Sequence, residues 1–440
     1  MQKILFVIHS LAGGGAEKVL INLVNHMDQT RFDITVLSIL GGGINAKSLA
    51  SHIHYRVMFP KSFPGNSHIM KLFTPKQLHK LFIKEHYDFE ISYLEGSTAR
   101  LVSGCSDPET RLISWIHVEQ HNMKKLAYAF RSPQEAKWCY NRFDQTVSVS
   151  EFVKNDFCKI LNFTNPIKVL YNTVESEKIV REAQKPVPQI SLDKSFKIVA
   201  VGTLKASKGY DRLLRIVERL KKVFDIHLYI LGTGPLREKL ETFVKEHDMS
   251  RDVIFLGYDM NPYKYVSKCD LFVCASHAEG FSTAATEALI VGTPVCTVNV
   301  SGMKEMLGEN NEYGIVTDNS EEALYQGIKN LIEDPKLLNF YKKAAKERAK
   351  VFSTSATVNA VEEMLHEVEK RTYTKEDSLD IDYSVLIRTT GEADEKYEAL
   401  LTSISQLVPK PKEVIVVLPE GYKKPRIQLG YEHFGFCKKG

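Results

Sequence analysis

The stretch LFVCASHAEGFSTAATEAL, residues 271–289, has the most informative order of residues in the chain. A short apolar run of strand length is followed by a polar turn, and helical spacing begins near Ser282. In an open parallel sheet, ligands bind beyond the carboxyl ends of the strands. The first backbone N–H groups of the helix, those of Ser282, Thr283 and Ala284, are therefore expected to point into that crevice, where they suit a phosphate.

Two carboxylates flank the start of this helix. Glu279 lies in the loop after the strand, Gly280 allows a tight turn, and Glu287 falls about one and a half turns into the helix. Carboxylates repel a phosphate but accept hydrogen bonds from hydroxyls. The stretch therefore predicts a site for a sugar nucleotide, although a solvated loop and helix face is the plainer alternative for both carboxylates.

The sequence on either side alternates between apolar runs and amphipathic segments. The apolar runs on the N-terminal side are KILFVI, DITVLSIL, FEISYL, LISWIH, QTVSVS and KVLYN, and those on the C-terminal side are FKIVAVG, IHLYILG, DVIFLG, LFVCAS, PVCTVN and GIVT. Glycines 13–15 and the helix-spaced AEKVLINLVNHM join the first two runs into a βαβ unit. This α/β alternation predicts two Rossmann-like domains that face each other across a cleft.

Composition shifts along the chain predict where these domains begin and end. The predicted parts are an acceptor-side domain at 1–174, a linker at 175–196, a donor-side domain at 197–353, a helix at 354–371 that crosses back to the first domain, and a short C-terminal βαβ extension at 383–440. The last part is too short to bury its own sheet easily.

Composition and charge exclude several classes of protein. A chain of 440 residues with 43% hydrophobic and 25% charged residues is ordinary for a globular protein. No apolar run approaches the roughly 18 residues of a membrane span, and the start MQKILFVIHS is too weakly apolar for a secretory signal. The net charge of +4 is too small for a nucleic-acid-binding protein. Seven scattered cysteines predict buried thiols in a reducing cytoplasm rather than zinc ligands.

Six elements of the sequence occur in an order and spacing that resemble a known family. They are GGGAEKVLINL at 13–23, WIHVEQHN at 115–122, VSVSEFVKNDF with VLYNTVE at 147–157 and 169–175, VGTLKASKGYDRLL at 201–214, LGTGPLREKL at 231–240 with VIFLGYDMNPYKYVSKCDLFVCAS at 253–276, and EGF followed by a second Glu eight positions after the first. Over roughly residues 1–370 the chain resembles the retaining GT-B glycosyltransferases of family 4.

The resemblance implies a role for each matching residue. Glu279 is expected on the hydroxyls of the donor sugar, Lys208 on the diphosphate and leaving group, and His117 on the donor sugar or the acceptor. Further donor-binding residues implied by the resemblance are Gly14, Gly15, Gly202, Lys205, Gly257, Gly280, Phe281, Ser282, Thr283 and Glu287, the last of these on the ribose.

Two residues depart from the family pattern. Thr203 stands where the family usually has an Arg after the glycine of the phosphate loop, and Lys205 is the candidate replacement for that cation. Arg and Lys are not equivalent at a bidentate phosphate site. Thr173 stands where a Gly commonly follows the asparagine.

The resemblance also implies a reaction. The expected chemistry is front-side attack by an acceptor hydroxyl with retention of configuration, in which the departing diphosphate helps to take the proton. The donor half contains no D-x-D sequence, so we expect no metal or other cofactor, with Lys208 and the helix start in the place of a metal. The expected donor carries a hexose or N-acetylhexosamine on a nucleotide, with UDP as the first choice. The expected acceptor is a glycan or lipid-linked glycan of cell-surface polysaccharide synthesis, and no nucleic acid is expected.

Two other functions stay open at this point. The absence of the Arg at position 203 favours a non-catalytic GT-B protein that binds a glycan or a partner protein. A GT-B nucleotide-sugar epimerase is a further alternative, but it needs extra acid–base carboxylates, of which the sequence shows no clear set.

Residues 71–84 place Lys76, Lys80 and Lys84 on one helical face. This pattern is typical of a core-packed helix with a solvated lysine face, and the alternative is a surface that meets anionic lipid headgroups. We therefore expect a cytoplasmic protein, and the alternative for the lysine face adds peripheral contact with the inner face of the membrane.

The tail has a separate, weaker resemblance. Residues 382–421 are similar to the opening βαβ unit of the family 2, GT-A glycosyltransferases, but Leu418, Pro419 and Glu420 replace the acidic residues expected after the second strand. The alternatives are a truncated second transferase domain and an accessory unit.

Overall fold

The computed structural model describes residues 1–12, 14–60, 70–187, 190, 194–277, 281–300 and 302–371, together with the backbone of three later strands. Contacts divide the chain into two units, Met1–Lys370 and Arg371–Gly440. The first unit contains two parallel sheets, and we call residues 1–174 and 197–353 its first and second halves.

The first half is built on a seven-stranded sheet in the order β3-β2-β1-β4-β5-β6-β7, in which every pairing is parallel. Its strands are β1 (Gln2–Ile8), β2 (Phe32–Leu40), β3 (His54–Phe59), β4 (Phe89–Ser92), β5 (Arg111–Ile116), β6 (Gln145–Ser148) and β7 (Ile167–Val169). The helices of this half are α1 (Gly15–His26), α2 (Pro75–Phe82), α3 (Ser97–Val102), α4 (Met123–Leu126), α5 (Pro133–Asn141) and α6 (Glu151–Leu161).

The second half is built on a six-stranded parallel sheet in the order β10-β9-β8-β11-β12-β13. Its strands are β8 (Phe196–Val201), β9 (Ile226–Leu231), β10 (Val253–Gly257), β11 (Leu271–Cys274), β12 (Val295–Val298) and β13 (Ile315–Thr317). The later helices of the unit are α7 (Ser176–Ala183), α8 (Tyr210–Leu220), α9 (Arg237–Glu246), α10 (Tyr263–Val266), α11 (Thr283–Ile290), α12 (Met303–Leu307), α13 (Glu321–Glu333), α14 (Pro335–Ala349) and α15 (Thr354–Glu369). Short 3₁₀ segments lie at Ile44–Ser48, Ala127–Ala129, Ala206–Lys208 and Lys350–Phe352.

The central strands are continuous apolar runs because both of their faces are covered. In β1, the five residues Ile4–Ile8 are all buried, as expected for a strand in a parallel sheet with helices on each side. The helix α1 begins after Gly14 and buries Val19, Leu20 and Val24. This is the one-sided spacing of a helix that packs on a sheet.

The edge strand β3 and the helix α7 are among the elements of the first unit that were not predicted from the sequence. The edge strand β3 alternates half-buried and exposed residues and lacks the long apolar run of its neighbours. The segment 175–196, predicted to be a linker, contains the helix α7, which buries Ser176, Ile179 and Ala183 at helical spacing. Its mostly polar composition concealed this narrow apolar stripe.

The helix α15 packs against the first half. Its residues Val361, Leu365 and Val368 are buried in the same core as residues of α1. Ion pairs flank this contact, with 3.1 Å between Arg31 and Glu362 and 2.7 Å between Lys168 and Glu367. The described residues contain no helix that is both long enough and apolar enough to cross a bilayer.

The second unit contains a parallel three-stranded sheet of β14 (Ser384–Arg388), β15 (Glu413–Leu418) and β16 (His433–Lys438). The sequence predicted only the first two strands and interpreted residues 433–438 as part of a basic end. The run HFGFCK alternates in character, with Phe434 and Phe436 two residues apart, and this period of two is typical of a strand. The predicted helix between β14 and β15 lies outside the described residues.

Candidate active site

A cavity of about 260 Å³ opens at the carboxyl ends of the strands β8 and β9. Its lining residues are Lys18, Val201, Gly202, Thr203, Leu231, Gly232, Thr233, Tyr258, Asp259, Met260, Pro262, Tyr263 and Glu287. Of these residues, Lys18 belongs to the first half of the unit and all the others belong to the second half. The cavity therefore lies where ligands bind in an open α/β sheet, and the first half contributes to its wall.

The backbones of Gly202 and Gly232, which both line this cavity, approach each other closely. A Cβ atom on Gly232 would lie 2.0 Å from the carbonyl oxygen of Gly202, and the φ of Gly232 is +136°. Both facts require glycine at position 232. The glycines of LGTGPL thus allow the loops after β8 and β9 to touch.

A second close approach brings Lys208 toward the start of α11. Gly209 has a φ of +64°, and a Cβ atom there would lie 1.9 Å from the carbonyl oxygen of Ala275. A small adjoining cavity of about 20 Å³ is lined by Lys208, Ser276 and Ser282, among others, and it shares Val201 with the larger cavity. Lys208, the predicted cation, and Ser282, at the predicted helix start, therefore line the same small cavity.

The start of α11 has the geometry of a capped helix. Ser282 is the N-cap residue, and its hydroxyl accepts a hydrogen bond from the backbone N–H of Ala285 at 3.3 Å. The first N–H groups of any helix have no partner within the helix. The N-terminus of α11, which begins at Thr283, therefore carries a partial positive charge beside Lys208, and this arrangement suits a diphosphate.

Glu287 lines the larger cavity, where its side chain contacts those of Lys18 and Tyr263. Its Oε1 lies 3.3 Å from Lys18 Nζ and accepts a hydrogen bond from the hydroxyl of Tyr263 at 3.2 Å. Lys18 Nζ also donates to the Tyr263 hydroxyl at 3.1 Å. Burial and the neighbouring Glu287 carboxylate raise the pKa of Tyr263 to about 12, so its hydroxyl stays protonated and can donate.

His117 follows β5 and is buried among aromatic rings. The centroid of its ring lies 4.8 Å from that of Tyr93 and 6.4 Å from that of Trp115. Burial lowers the pKa of His117 to about 3, although a hydrogen bond to the backbone of Tyr93 opposes the shift. No described residue hydrogen-bonds its buried Nε2 atom. A neutral imidazole with one unpartnered nitrogen suits a sugar hydroxyl, but His117 does not line the larger cavity.

Glu95 fixes the backbone on which His117 lies. Its Oε1 accepts hydrogen bonds from the backbone N–H groups of His117 at 2.5 Å and Val118 at 2.8 Å. Burial raises the pKa of Glu95, and these two backbone donors oppose that shift. Sequence analysis missed this residue because a lone carboxylate 22 positions away gives no signal of the contact.

The structure brings together only part of the predicted site. Gly202 and Glu287 line the larger cavity, Lys208 and Ser282 line the smaller one, and Thr283 is the first residue of α11.

The other predicted residues lie around these two cavities or beyond them. Gly257 accepts a backbone hydrogen bond from Gly232 at 2.7 Å. Lys205 is exposed and lines neither cavity. Glu279 and Gly280 lie outside the described residues.

Three other predicted residues, Gly14, Gly15 and Phe281, lie at the starts of α1 and α11. Gly14 is the N-cap residue of α1 and Gly15 its first residue, which places Lys18 one turn further along. Phe281 is buried, and its ring stacks on Tyr171. Neither glycine nor Phe281 lines the larger cavity, so these residues shape the elements that carry the lining side chains.

Lys18 and Tyr263 are the partners of Glu287 in the cavity that sequence analysis missed. Lys18 lies within the quoted GGGAEKVLINL, and Tyr263 lies within the quoted VIFLGYDMNPYKYV. Their positions in matched segments were the available signal. That the side chains of Lys18 and Tyr263 both reach Glu287 could not be predicted without knowing how the two halves pack together.

The two departures from the family pattern have different surroundings. Thr203 is exposed and lines the larger cavity, so a longer side chain at this position would reach into it. Thr173 is buried, and its carbonyl oxygen accepts a hydrogen bond from the Asn22 side chain at 3.2 Å.

Two groups of side chains among the described residues have the composition of metal ligands. They are His79 with Glu90 and Cys105, and Glu119 with His121 and Asp156. None of these six residues lines the larger cavity. In the first group the ring of His79 already contacts both carboxylate oxygens of Glu90, at 3.0 and 2.8 Å, so an ion pair accounts for its geometry.

Family models match both halves of the first unit. The model described as Glycosyltransferase Family 4 matches residues 13–178, and the model described as Glycosyl transferases group 1 matches residues 181–348. The division between the two matches falls within α7. Together the matches cover both sheets except for the strand β1.

Individual proteins extend this similarity. An N-acetylgalactosamine-N,N'-diacetylbacillosaminyl-diphospho-undecaprenol 4-alpha-N-acetylgalactosaminyltransferase from Campylobacter jejuni is 32% identical over 374 residues, which cover 80% of this chain and 96% of the relative. A second C. jejuni enzyme, a GalNAc-alpha-(1->4)-GalNAc-alpha-(1->3)-diNAcBac-PP-undecaprenol alpha-1,4-N-acetyl-D-galactosaminyltransferase, is 24% identical over 81% of this chain and 96% of its own length.

A solved structure shares the fold. Anabaena HepE, crystallised in complex with UDP, superposes with a TM-score of 0.68 at 19% identity and covers 83% of this chain and all of its own. The predicted fold class of two Rossmann-like domains is thereby confirmed. With both family models matched and a relative 32% identical along nearly its whole length, the chain belongs to the family 4-like glycosyltransferases of the GT-B fold.

Proposed function

We propose that this glycosyltransferase moves an N-acetylhexosamine or a hexose from a UDP-linked donor to a glycan carried on a lipid diphosphate, with retention of anomeric configuration. The observation that carries the proposal is the convergence of Lys208, the start of α11 and Glu287 around two adjoining cavities at the carboxyl ends of one sheet. A cation with a helix N-terminus suits a diphosphate, and a carboxylate suits the hydroxyls of a sugar or ribose.

The choice of UDP rests on the cavity and on a protein with the same fold. The cavity is lined by the exposed side chains of Tyr258 and Met260, which offer a ring and a thioether to the face of a base. HepE, which shares the fold, was crystallised with UDP. In this arrangement the ribose lies toward Glu287 and the diphosphate toward Lys208.

The choice of acceptor rests on the relatives. Both C. jejuni enzymes carry names that specify transfer of N-acetylgalactosamine to a glycan on diphospho-undecaprenol. The first of them aligns along 96% of its length. An N-acetylhexosamine donor and a lipid-diphosphate-linked glycan are therefore the first pair to test.

The proposed reaction makes one bond and breaks one. An acceptor hydroxyl oxygen attacks the anomeric carbon on the face that the diphosphate leaves, the bond from that carbon to the diphosphate oxygen breaks, and a departing diphosphate oxygen takes the hydroxyl proton. Lys208 and the N–H groups at the start of α11 stabilise the charge that develops on the diphosphate. Because these groups supply positive charge, we propose that activity does not require a divalent cation.

The proposed membrane contact involves a surface of the first half defined by Lys71, Leu72, Lys76, Lys80 and Tyr128. Leu72 and Tyr128 are 75% and 68% exposed, and the ammonium of Lys71 lies 5.3 Å from the centre of the Tyr128 ring. Exposed apolar groups beside lysines suit an anionic bilayer surface. An acceptor with a lipid diphosphate would lie in such a surface.

The test of the proposed function is a transfer assay with the full chain. Purified protein is incubated with UDP-N-acetylgalactosamine, UDP-N-acetylglucosamine, UDP-glucose or UDP-galactose and with the acceptor of the first C. jejuni relative, with and without EDTA. We expect one donor to lengthen the glycan, with an α-linkage in the product by NMR and an unchanged rate in EDTA.

Variants and products separate this function from its alternatives. Lys208→Ala is expected to reduce transfer at least about 100-fold, since charge stabilisation of a leaving group contributes several kcal/mol. A donor returned with altered stereochemistry at a ring carbon would indicate an epimerase instead. UDP binding without transfer or hydrolysis of any donor would indicate a non-catalytic protein. An inverted linkage would contradict the retaining mechanism alone.

A further inference from the structure

The cavity receives one side chain from the opposite half of the unit. Lys18 belongs to α1, on the first sheet, and its ammonium lies between Glu287 of α11 and Tyr263 of α10. Besides Lys18 and Glu287, the described lining contains one charged side chain, Asp259, which forms a 2.8 Å ion pair with Lys264, a residue that does not line the cavity. Lys18 is therefore the cation that the described lining of the larger cavity contains.

The contacts of Glu287 are divided unequally between its two oxygens. Lys18 and Tyr263 both donate to Oε1, at 3.3 and 3.2 Å, whereas no hydrogen bond from the described part of the chain reaches Oε2. A carboxylate accepts up to about four hydrogen bonds. One oxygen is thus held in place, and none of the described residues donates a hydrogen bond to the other.

We propose that Lys18 is a positioning residue of the donor site, which holds Glu287 so that its Oε2 accepts the hydroxyls of the donor ribose. This inference rests on the proposed function, because it takes the larger cavity as the nucleotide site. Lys18 does not touch the reacting atoms. It acts through Glu287 and Tyr263, and it makes correct orientation of Glu287 depend on the presence of the first half.

This role has a thermodynamic consequence. Because Lys18 of the first half helps Tyr263 to hold Glu287, the relative position of the two halves and the binding of the ribose favour each other. The side chain of Lys18 is 53% exposed, whereas that of Glu287 is 13% exposed. The cation of this contact is thus open to solvent, whereas the carboxylate is mostly shielded from it.

The experiment compares two nucleotides that differ in the ribose hydroxyls. UDP and 2′,3′-dideoxyuridine diphosphate are titrated into the wild-type full chain and its variants by calorimetry. The wild type is expected to bind UDP more tightly. Lys18→Met and Glu287→Gln are each expected to weaken UDP binding about 10-fold and to bind the two nucleotides alike, since a hydrogen bond to a charged group is lost. The double variant is expected to resemble either single variant.

Three further variants separate positioning from a loss of structure. Lys18→Arg keeps the cation and is expected to retain most of the preference for UDP, and Tyr263→Phe is expected to lose part of it. Lys168→Met is the matched control, because Lys168 forms a 2.7 Å ion pair with Glu367 away from the cavity. The control is expected to behave as the wild type does. Thermal unfolding of each variant shows that it is folded.

The outcomes distinguish this inference from the function on which it rests. If Lys18→Met keeps the wild-type preference for UDP while the wild type binds and transfers, the positioning role is overturned and the proposed function stands. If Lys18→Met does not fold, the other two variants decide. The positioning role would be overturned if Tyr263→Phe kept the full preference for UDP and Lys18→Arg, which keeps the cation, lost that preference. If the wild type binds no uridine nucleotide, both the UDP site and the inference are overturned.

Discussion

The ring of Tyr171 stacks on the ring of Phe281 with 5.4 Å between their centroids and 25° between their planes. Phe352 packs against both rings, at 5.1 and 5.9 Å. Tyr171 follows the last strand of the first sheet, and Phe281 immediately precedes the N-cap residue of α11. This aromatic cluster therefore joins the two halves of the unit next to the start of α11, which belongs to the proposed diphosphate site.

The first prediction concerns this cluster. Phe281→Leu keeps an apolar side chain but removes the ring stack, so we expect a loss of about 1 kcal/mol in the free energy of unfolding and weaker UDP binding, because Ser282 is no longer held as firmly. Phe163→Leu is the control, since Phe163 is similarly buried and its ring packs edge-on against Phe157. The control is expected to lose similar stability with unchanged UDP affinity. Equal UDP affinity in both variants would contradict the prediction.

The second prediction concerns pH and His117. Burial lowers the pKa of His117 to about 3 in the folded state, whereas an unfolded chain has the ordinary value near 6.5. The unfolded state therefore binds more protons between these values, and stability falls as the pH drops below about 6.5. At pH 5 the loss amounts to about 2 kcal/mol.

The measurement is chemical denaturation of the wild type and of His117→Gln at pH 7.5 and pH 5. Other groups also titrate in this range, so the comparison is between the two proteins. The wild type is expected to lose about 2 kcal/mol more than the variant on acidification. Equal losses would mean that His117 takes up a proton without cost in the folded chain.

The third prediction concerns Thr203, which lines the larger cavity where the family usually has an Arg. Thr203→Arg is expected to tighten UDP binding about 10-fold, because a guanidinium adds charge-assisted hydrogen bonds to a diphosphate. Thr203→Gln is the control, with a long polar side chain that carries no charge. Calorimetry with UDP and with uridine separates the effects, since only UDP carries the diphosphate. A gain for uridine as large as the gain for UDP would contradict a diphosphate contact.

The fourth prediction concerns the proposed membrane surface of the first half. Lys76 and Lys80 of that surface and Lys84, the third lysine of the same predicted helical face, are exposed. Replacing all three by Gln is expected to weaken binding to phosphatidylglycerol vesicles, measured by sedimentation, by about 1 kcal/mol per lysine at low salt. Binding by the wild type is expected to fall in high salt.

The control for the vesicle experiment changes the net charge equally in the second half. Lys222, Lys239 and Lys245 are also exposed, and their replacement by Gln is expected to leave vesicle binding unchanged. Failure of the wild type to sediment with anionic vesicles at low salt would rule out the membrane surface. Equal losses in the two triple variants would show that total charge acts rather than this surface.

The strands and helices were predictable wherever the pattern of apolar residues along the sequence was strong. All six apolar runs predicted for the second half form strands of one parallel sheet. The edge strand β3 was missed because the polar residues His54 and Arg56 interrupt its apolar residues, and α7 was missed because its apolar stripe is narrow. In both cases too few apolar residues follow one another at a regular spacing to give a pattern.

The candidate site was predictable only where a residue's role follows from its position in a local motif. Lys208, Ser282 and Glu287 lie at the two cavities as the strand–turn–helix order implies. Lys205 is exposed and lines neither cavity, so its predicted part in the diphosphate site stays a prediction. Glu95 was not predicted, since its contact with the backbone of His117 depends on how β4 and β5 lie side by side.

The sequence by itself determined the two α/β halves, the glycine-containing loops and the helix start at Ser282, because each depends on residues only a few positions apart. The tertiary structure alone decided that Lys18 meets Glu287, 269 positions further along the chain. No periodicity extends over that separation. The contact forms because the arrangement of the two halves brings α1 to the wall of the cavity, and this arrangement is a property of the whole unit.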